Sequence, residues 1–143
     1  MGSNQIRPEP YLFFHGFWGS PADGAFLKAS SLPFSSPDYT CDPLLSSKNF
    51  LSDWGQNFKK WKEQNFSTQK LTAVGYSQGG RLLLQAFALE PENFERLVLV
   101  STHPGLTDFV EREQRLIQDR GWAQKFRCEP SWPMLQNEWN RLG

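Results

Sequence analysis

Short apolar runs that alternate with stretches of helical periodicity predict an α/β protein built on a parallel sheet. Three observations carry this expectation. Apolar runs occur at Tyr11–Phe14, Leu71–Val74 and Leu97–Val100, an amphipathic pattern fills residues 49–64, and a Gly-x-Ser-x-Gly turn joins the second run to a helical stretch. Strands and helices in that order form βαβ units, which bury a parallel sheet between helices on both faces.

Taken in order, Tyr11–Phe14 is a continuous apolar strand that runs into His15-Gly16. A weaker extended segment is expected at Asp38–Asp42, between Pro37 and Pro43. Phe50, Leu51, Trp54, Phe58 and Trp61 then recur at helical spacing, leaving Ser52, Gln56, Lys59, Lys60 and Glu63 to face water. Leu71–Val74 is the next strand, and the helix after it, Gln78–Leu89, is stopped by Pro91. Leu97–Val100 shows no polar alternation, which predicts a strand buried on both faces. Past Ser101 the texture changes. His103-Pro104-Gly105 reads as a turn, and residues 107–118, 121–128 and 134–142 as helices with no strand between them. The expected organisation is a partial parallel sheet of about four strands over residues 1–103, and the start of a helical cap over 104–143. Nothing in the sequence covers the outer edge of Leu97–Val100, so self-association or a second polypeptide is expected there.

Composition narrows the function classes. Over 143 residues, Lys plus Arg and Asp plus Glu balance at 15 each, which leaves no single-sign field for nucleic acid or an anionic membrane surface. Cys41 and Cys128 lie too far apart for a disulfide framework or a zinc site, so no metal is expected. Residues 1–10 lack a basic region followed by an apolar stretch, and no run is long enough to span a bilayer, so a cytoplasmic chain is expected.

The chemistry is carried by Gly75-Tyr76-Ser77-Gln78-Gly79. Between a strand and a helix, this pentapeptide lifts its serine above the sheet as a nucleophile, and the glycines avoid collisions in a very tight turn. An incidental serine in a glycine-rich turn is the plainer reading, and the flanking strand and helix weigh against it. His15-Gly16-Phe17 ends the first strand, so the backbone N–H groups of Phe17 and Gln78 would form an oxyanion hole. Ser77 also needs a base. His15 and His103 are the only histidines; His103 reads as a turn residue, with a role as base the alternative. Asp108 and Asp119, the only aspartates after Ser77, both fall in the helical appendage.

Together, His15-Gly16-Phe17, the run Gly75 to Arg81, His103-Pro104-Gly105-Leu106, and the segment from Glu111 through Trp122 and Lys125 to Pro130 resemble one family. It is 2-succinyl-6-hydroxy-2,4-cyclohexadiene-1-carboxylate synthase of menaquinone biosynthesis, of the α/β-hydrolase superfamily. The resemblance runs from Tyr11 to Trp139 and corresponds to the N-terminal portion of a family member. It implies an α/β-hydrolase fold and a lyase that eliminates pyruvate from a cyclohexene carboxylate intermediate with no metal or organic cofactor. By position it implies Ser77 as the catalytic serine and Tyr76 as the tyrosine beside it, with Arg81 and Arg115 gripping carboxylates and Trp139 lining the pocket. Each has a plainer rival. Arg115 lies among charged residues where an ion pair is equally natural, and Trp139 would serve as core packing. Arg81 would be an ordinary surface cation, except that the helix dipole disfavours a cation in a first turn.

Departures accompany the matches. Leu44-Leu45-Ser46-Ser47 stands where the family has a loop containing Gly and His, and Asn140 stands where an aromatic residue is expected. The family's catalytic Asp and His and its last strands have no counterpart up to Gly143, which predicts a truncated chain inactive by itself. A serine esterase or thioesterase on the same fold and a non-catalytic interaction fragment are the alternatives.

Overall fold

The computed structural model describes residues 11–30, 34–46 and 50–142. The N-terminal residues 1–10, Ser47, Asn49 and the side chain of Phe50 lie outside them. The described residues fall into two compact units, divided between Pro104 and Gly105.

In the first unit, β1 (Tyr11–Phe14) leads through a 3-10 stretch (Pro21–Ser30) to the short β2 (Phe34–Ser35). Helix α1 (Phe50–Phe66), β3 (Leu71–Tyr76), α2 (Gln78–Leu89) and β4 (Phe94–Val100) follow. The strands form one four-stranded sheet in the order β2-β1-β3-β4, with every pair parallel.

One face of this sheet is covered by both long helices. Leu12 and Phe14 of β1, with Leu71 and Ala73 of β3, pack against Trp54, Phe58 and Trp61 of α1 and Leu82, Leu83 and Ala86 of α2. The Phe14 ring is the hub, with the rings of Trp54, Phe58 and Trp61 centred 5.9–6.3 Å from it. Trp54 also donates its indole N–H to the Leu82 carbonyl at 2.7 Å, satisfying a polar atom that burial would otherwise leave unpaired. Phe13 points to the opposite face, where Phe26 of the 3-10 stretch meets it edge-on at 5.6 Å.

Four sequence expectations are corrected. Residues 38–42 form turns rather than a strand, and the strand that pairs with β1 lies upstream at Phe34–Ser35. Asp38 and Asp42 explain this: each accepts bonds from backbone N–H groups just ahead of it, which closes turns instead of extending the chain. Leu51, assigned to the apolar face of α1, is 64% exposed because it sits at the start of the helix, before Trp54 reaches the sheet. β4 is not buried on both faces, since Val98, Leu99 and Val100 are 45%, 39% and 42% exposed. As the outer strand it pairs, among the described residues, with β3 alone, and its apolar character does not by itself supply a cover.

The fourth correction concerns the second unit, where α3 (Phe109–Cys128) and α4 (Trp132–Asn140) replace the three expected helices. Gly121 does not break α3: its cost of about 1 kcal/mol is smaller than that of nucleating a new helix. Asp108 caps α3 by accepting the Glu111 N–H at 2.9 Å. Trp122, Phe126, Trp132 and Trp139 gather between the two helices, with Trp122 and Trp139 edge to face at 5.1 Å. Among the described residues, no helix is long and apolar enough to cross a membrane.

Candidate active site

The strand order makes the site. From β1 the chain steps outward to β2, then crosses back to β3 on the other side of β1. A parallel sheet opens a crevice where its strand order reverses, at the carboxyl ends of the strands. β1 ends into His15-Gly16-Phe17 and β3 ends into Ser77, so both sequence-predicted loops meet there. A methyl group placed on Gly16 would lie 3.4 Å from Ser77 Cβ and 2.8 Å from the Tyr76 ring.

Ser77 holds the turn between β3 and α2 at φ 50° and ψ −112°, a conformation L-residues avoid. Its surroundings enforce this. The Ser77 N–H donates to the Val100 carbonyl at 2.9 Å, and a side chain at Gly75 would meet the Gly80 backbone at 2.5 Å. Removing the side chain relieves the strain, so Ser77→Gly is expected to stabilise the first unit by about 1 kcal/mol. Ser77→Ala keeps Cβ and is expected to bring no such gain; urea titration of both variants checks the pair.

The loop facing Ser77 is held by its own hydrogen bonds. His15 Nδ1 donates to the Gly16 carbonyl at 2.9 Å, and the Gly19 N–H reaches the same oxygen at 3.0 Å. That carbonyl shares a peptide plane with the Phe17 N–H, so fixing one orients the other. His15 is 2% exposed, and among the described residues its Nε2 has no hydrogen-bond partner, so the ring serves the loop rather than Ser77.

Tyr39, which no sequence pattern marked, clamps the same segment. Its hydroxyl donates to the His15 carbonyl at 2.8 Å while its ring stacks on the imidazole at 4.3 Å. Burial raises the phenol pKa above its ordinary value, so it stays protonated and able to donate. Beside it, the Thr40 hydroxyl at 2.5 Å holds the Asp38 carboxyl below the usual carboxylate range, against a smaller opposing effect of desolvation. A carboxylate depressed on folding contributes stability above its unfolded pKa and loses it as pH falls through the folded value. Asp38→Asn is therefore expected to make urea stability less sensitive to acid below about pH 4.

The remaining predicted residues are placed as follows. Gln78 opens α2, and Arg81 is exposed one turn on, with its N–H bonded to the Ser77 carbonyl at 3.2 Å. Tyr76 is 45% exposed. Arg115 and Trp139 belong to the second unit. There Arg115 Nε pairs with Asp119 at 2.8 Å, four residues on along α3, and Trp139 packs on Trp122 and Phe126. His103 is exposed, two residues beyond the positive-φ Ser101 that follows β4.

Phe17, Trp18 and Tyr39, with Thr40, Ser46 and Gln78, line a cleft of about 390 Å³. Sequence reasoning missed Trp18 and Tyr39. Trp18, a bulky residue at φ 62° between Gly16-Phe17 and Gly19, left a signal in the sequence: an aromatic pair set between glycines just after a strand. Tyr39 left none.

A parallel sheet with a strained serine on a strand-to-helix turn, facing a glycine loop across the switch point, defines the α/β-hydrolase class. Residues 29–129 match the family model described as the alpha/beta hydrolase fold, and the chain belongs to that family. It is 35% identical, over 127 residues, to 2-succinyl-6-hydroxy-2,4-cyclohexadiene-1-carboxylate synthase of Escherichia coli O1:K1 / APEC, covering 85% of this chain and 50% of that one. The synthase of Serratia proteamaculans (strain 568) is 38% identical over 68 residues, 47% of this chain and 27% of that one. The chain therefore spans about half the length of the Escherichia coli relative. Among solved structures, MenH from S. aureus superposes with a TM-score of 0.75 at 19% identity, covering 94% of this chain and 53% of that one. A marine microorganism esterase superposes with a TM-score of 0.62 at 14% identity, covering 94% and 54%. At these identities the likeness to solved structures shows the fold alone.

Proposed function

We propose that this chain supplies the serine-bearing half of a menaquinone-pathway lyase that eliminates pyruvate to give 2-succinyl-6-hydroxy-2,4-cyclohexadiene-1-carboxylate. The observation that carries this reading is the strained Ser77 facing the Gly16-Phe17 loop, in a chain 35% identical to such synthases. In this reading Ser77 Oγ, relieved of its proton by a base, takes a proton from substrate carbon. The Phe17 and Gln78 N–H groups stabilise the negative charge that moves onto oxygen; that charge then forms a ring C=C bond as the ring C–O bond breaks, and pyruvate leaves with the bonding pair as its enolate. Arg81 grips a substrate carboxylate, which gives a cation in a helix first turn a reason to be there. Arg115 already pairs with Asp119 through Nε, so a substrate carboxylate there would be met by its Nη groups.

Residues 1–143 alone are expected to release negligible pyruvate, because His15 is committed to the Gly16 carbonyl and, among the described residues, no carboxylate–histidine pair stands at Ser77 to serve as base. The experiment joins this chain to the unmatched half of the Escherichia coli synthase, supplies the pathway intermediate and measures pyruvate. The chimera is expected to turn over, and Ser77→Ala within it to lose activity by about a thousandfold or more. A folded chimera that cleaves p-nitrophenyl esters and ignores the intermediate would favour an esterase instead.

One observation favours a further reading, in which the chain acts through association. The edge of β4 and its exposed Val98, Leu99 and Val100 suit a second polypeptide or a second copy. Size-exclusion chromatography showing a monomer at all concentrations, unaltered by Val98→Lys, counts against it.

A further inference from the structure

The cleft beside Ser77 has a chemistry of its own. Its described lining holds no Lys, Arg, Asp or Glu; around Gly16, Gly19 and the buried His15, whose Nδ1 is held by the Gly16 carbonyl, it presents the aromatic rings of Phe17, Trp18 and Tyr39, with the neutral polar groups of Thr40, Ser46 and Gln78 at hand. Among these described residues a carboxylate would shed water without meeting a Lys or Arg, which disfavours it. An uncharged ring loses little water and gains aromatic faces and edges; Phe17 and Trp18 meet at 66° and 6.3 Å, presenting both.

Its position ties it to the reaction. The cleft is bounded by Gly16 and Gln78, the same residues that flank Ser77. Its volume of about 390 Å³ falls in the range of small-molecule sites. Trp18 reaches this wall through a backbone at φ 62°, where glycine would be at ease and a bulky side chain is strained. Such strain persists only where the surrounding structure fixes the residue, and it clusters at ligand-binding sites.

We propose that this cleft is the subsite for one apolar face of the ligand's six-membered carbon ring, with Trp18 as its specificity-determining wall, and that the carboxylates the ring carries point out of it. The assignment deepens the proposed lyase reading by saying which part of the substrate sits here, but its test needs no catalysis.

The test titrates the ¹⁵N-labelled chain with benzyl alcohol, a ring without charge, and separately with succinate, carboxylates without a ring. The readout is the Trp18 indole N–H signal, assigned from its loss in Trp18→Phe. Benzyl alcohol is expected to shift that signal saturably, and succinate to leave it in place. Trp18→Gly removes the ring yet suits the local φ, so it should fold. Followed through neighbouring amide signals, it is expected to bind benzyl alcohol about tenfold more weakly, while Trp18→Phe stays within about threefold of the parent. An unmoved Trp18 signal, equal binding by folded Trp18→Gly, or succinate held as tightly as benzyl alcohol would each overturn the proposal. Ring binding without pyruvate release by the chimera would sink the lyase reading and leave the subsite standing; the reverse pattern would do the opposite.

Discussion

Gly79→Ala is expected to unfold most of the first unit, at a cost of about 4 kcal/mol or more. The added methyl would sit 2.2 Å from the Phe14 carbonyl oxygen and 2.5 Å from that of His15. Both are backbone atoms at the end of β1, a strand pinned by pairing to β2 on one side and β3 on the other. No side chain is available to swing away, so α2 must shift and take the Ser77 turn with it. Gly121→Ala is the control. A methyl there meets nothing within 4 Å in an exposed stretch of α3, and is expected to stabilise that helix by about 1 kcal/mol. Far-ultraviolet circular dichroism against urea should show opposite displacements for the two variants. A Gly79→Ala protein with the parent's midpoint would refute the close packing of the elbow helix on β1.

Trp54→Ala is expected to destabilise the first unit by about 3–5 kcal/mol. Trp54 is fully buried among Phe14, Tyr39 and Phe58, and its N–H is spent on the Leu82 carbonyl. Its loss opens a cavity at the point where α1, α2 and β1 meet. Trp54→Phe keeps most of the volume and loses only the bond, so about 1–2 kcal/mol is expected. Because Tyr39 leans on the same indole and also clamps His15, the alanine variant should additionally disturb the loop facing Ser77. Chemical-shift changes at the Gly16 and Phe17 amides would report this, and their absence would sever the core from the site.

The elements read most accurately from sequence were those whose signals are local. The spacing of Trp54, Phe58 and Trp61 defined α1, and Pro91 lies just past the end of α2. Gly75-Tyr76-Ser77-Gln78-Gly79 marked the strand-to-helix turn because a conformation that tight admits few side chains. Where the reading failed, the deciding contact lay far along the chain or the cover lay elsewhere. β2 is a two-residue strand that exists by pairing with β1, and such a length carries no periodicity. The apolar run of β4 reports what the strand is suited to, whereas its exposure depends on what lies beside it.

Sequence by itself determined the α/β class, the family resemblance and the serine at its centre, since each rests on residues adjacent in the chain. Only the tertiary structure decided that β1 and β3 are neighbours with the strand order reversing between them. That adjacency brings the Gly16-Phe17 loop to Ser77, while the packing of the segment after β2 sets Tyr39 against His15, and Trp18 stands on the cleft wall. The physical reason is that strand order and side-chain clamps are long-range packing choices, settled by which buried surfaces fit one another rather than by any local pattern.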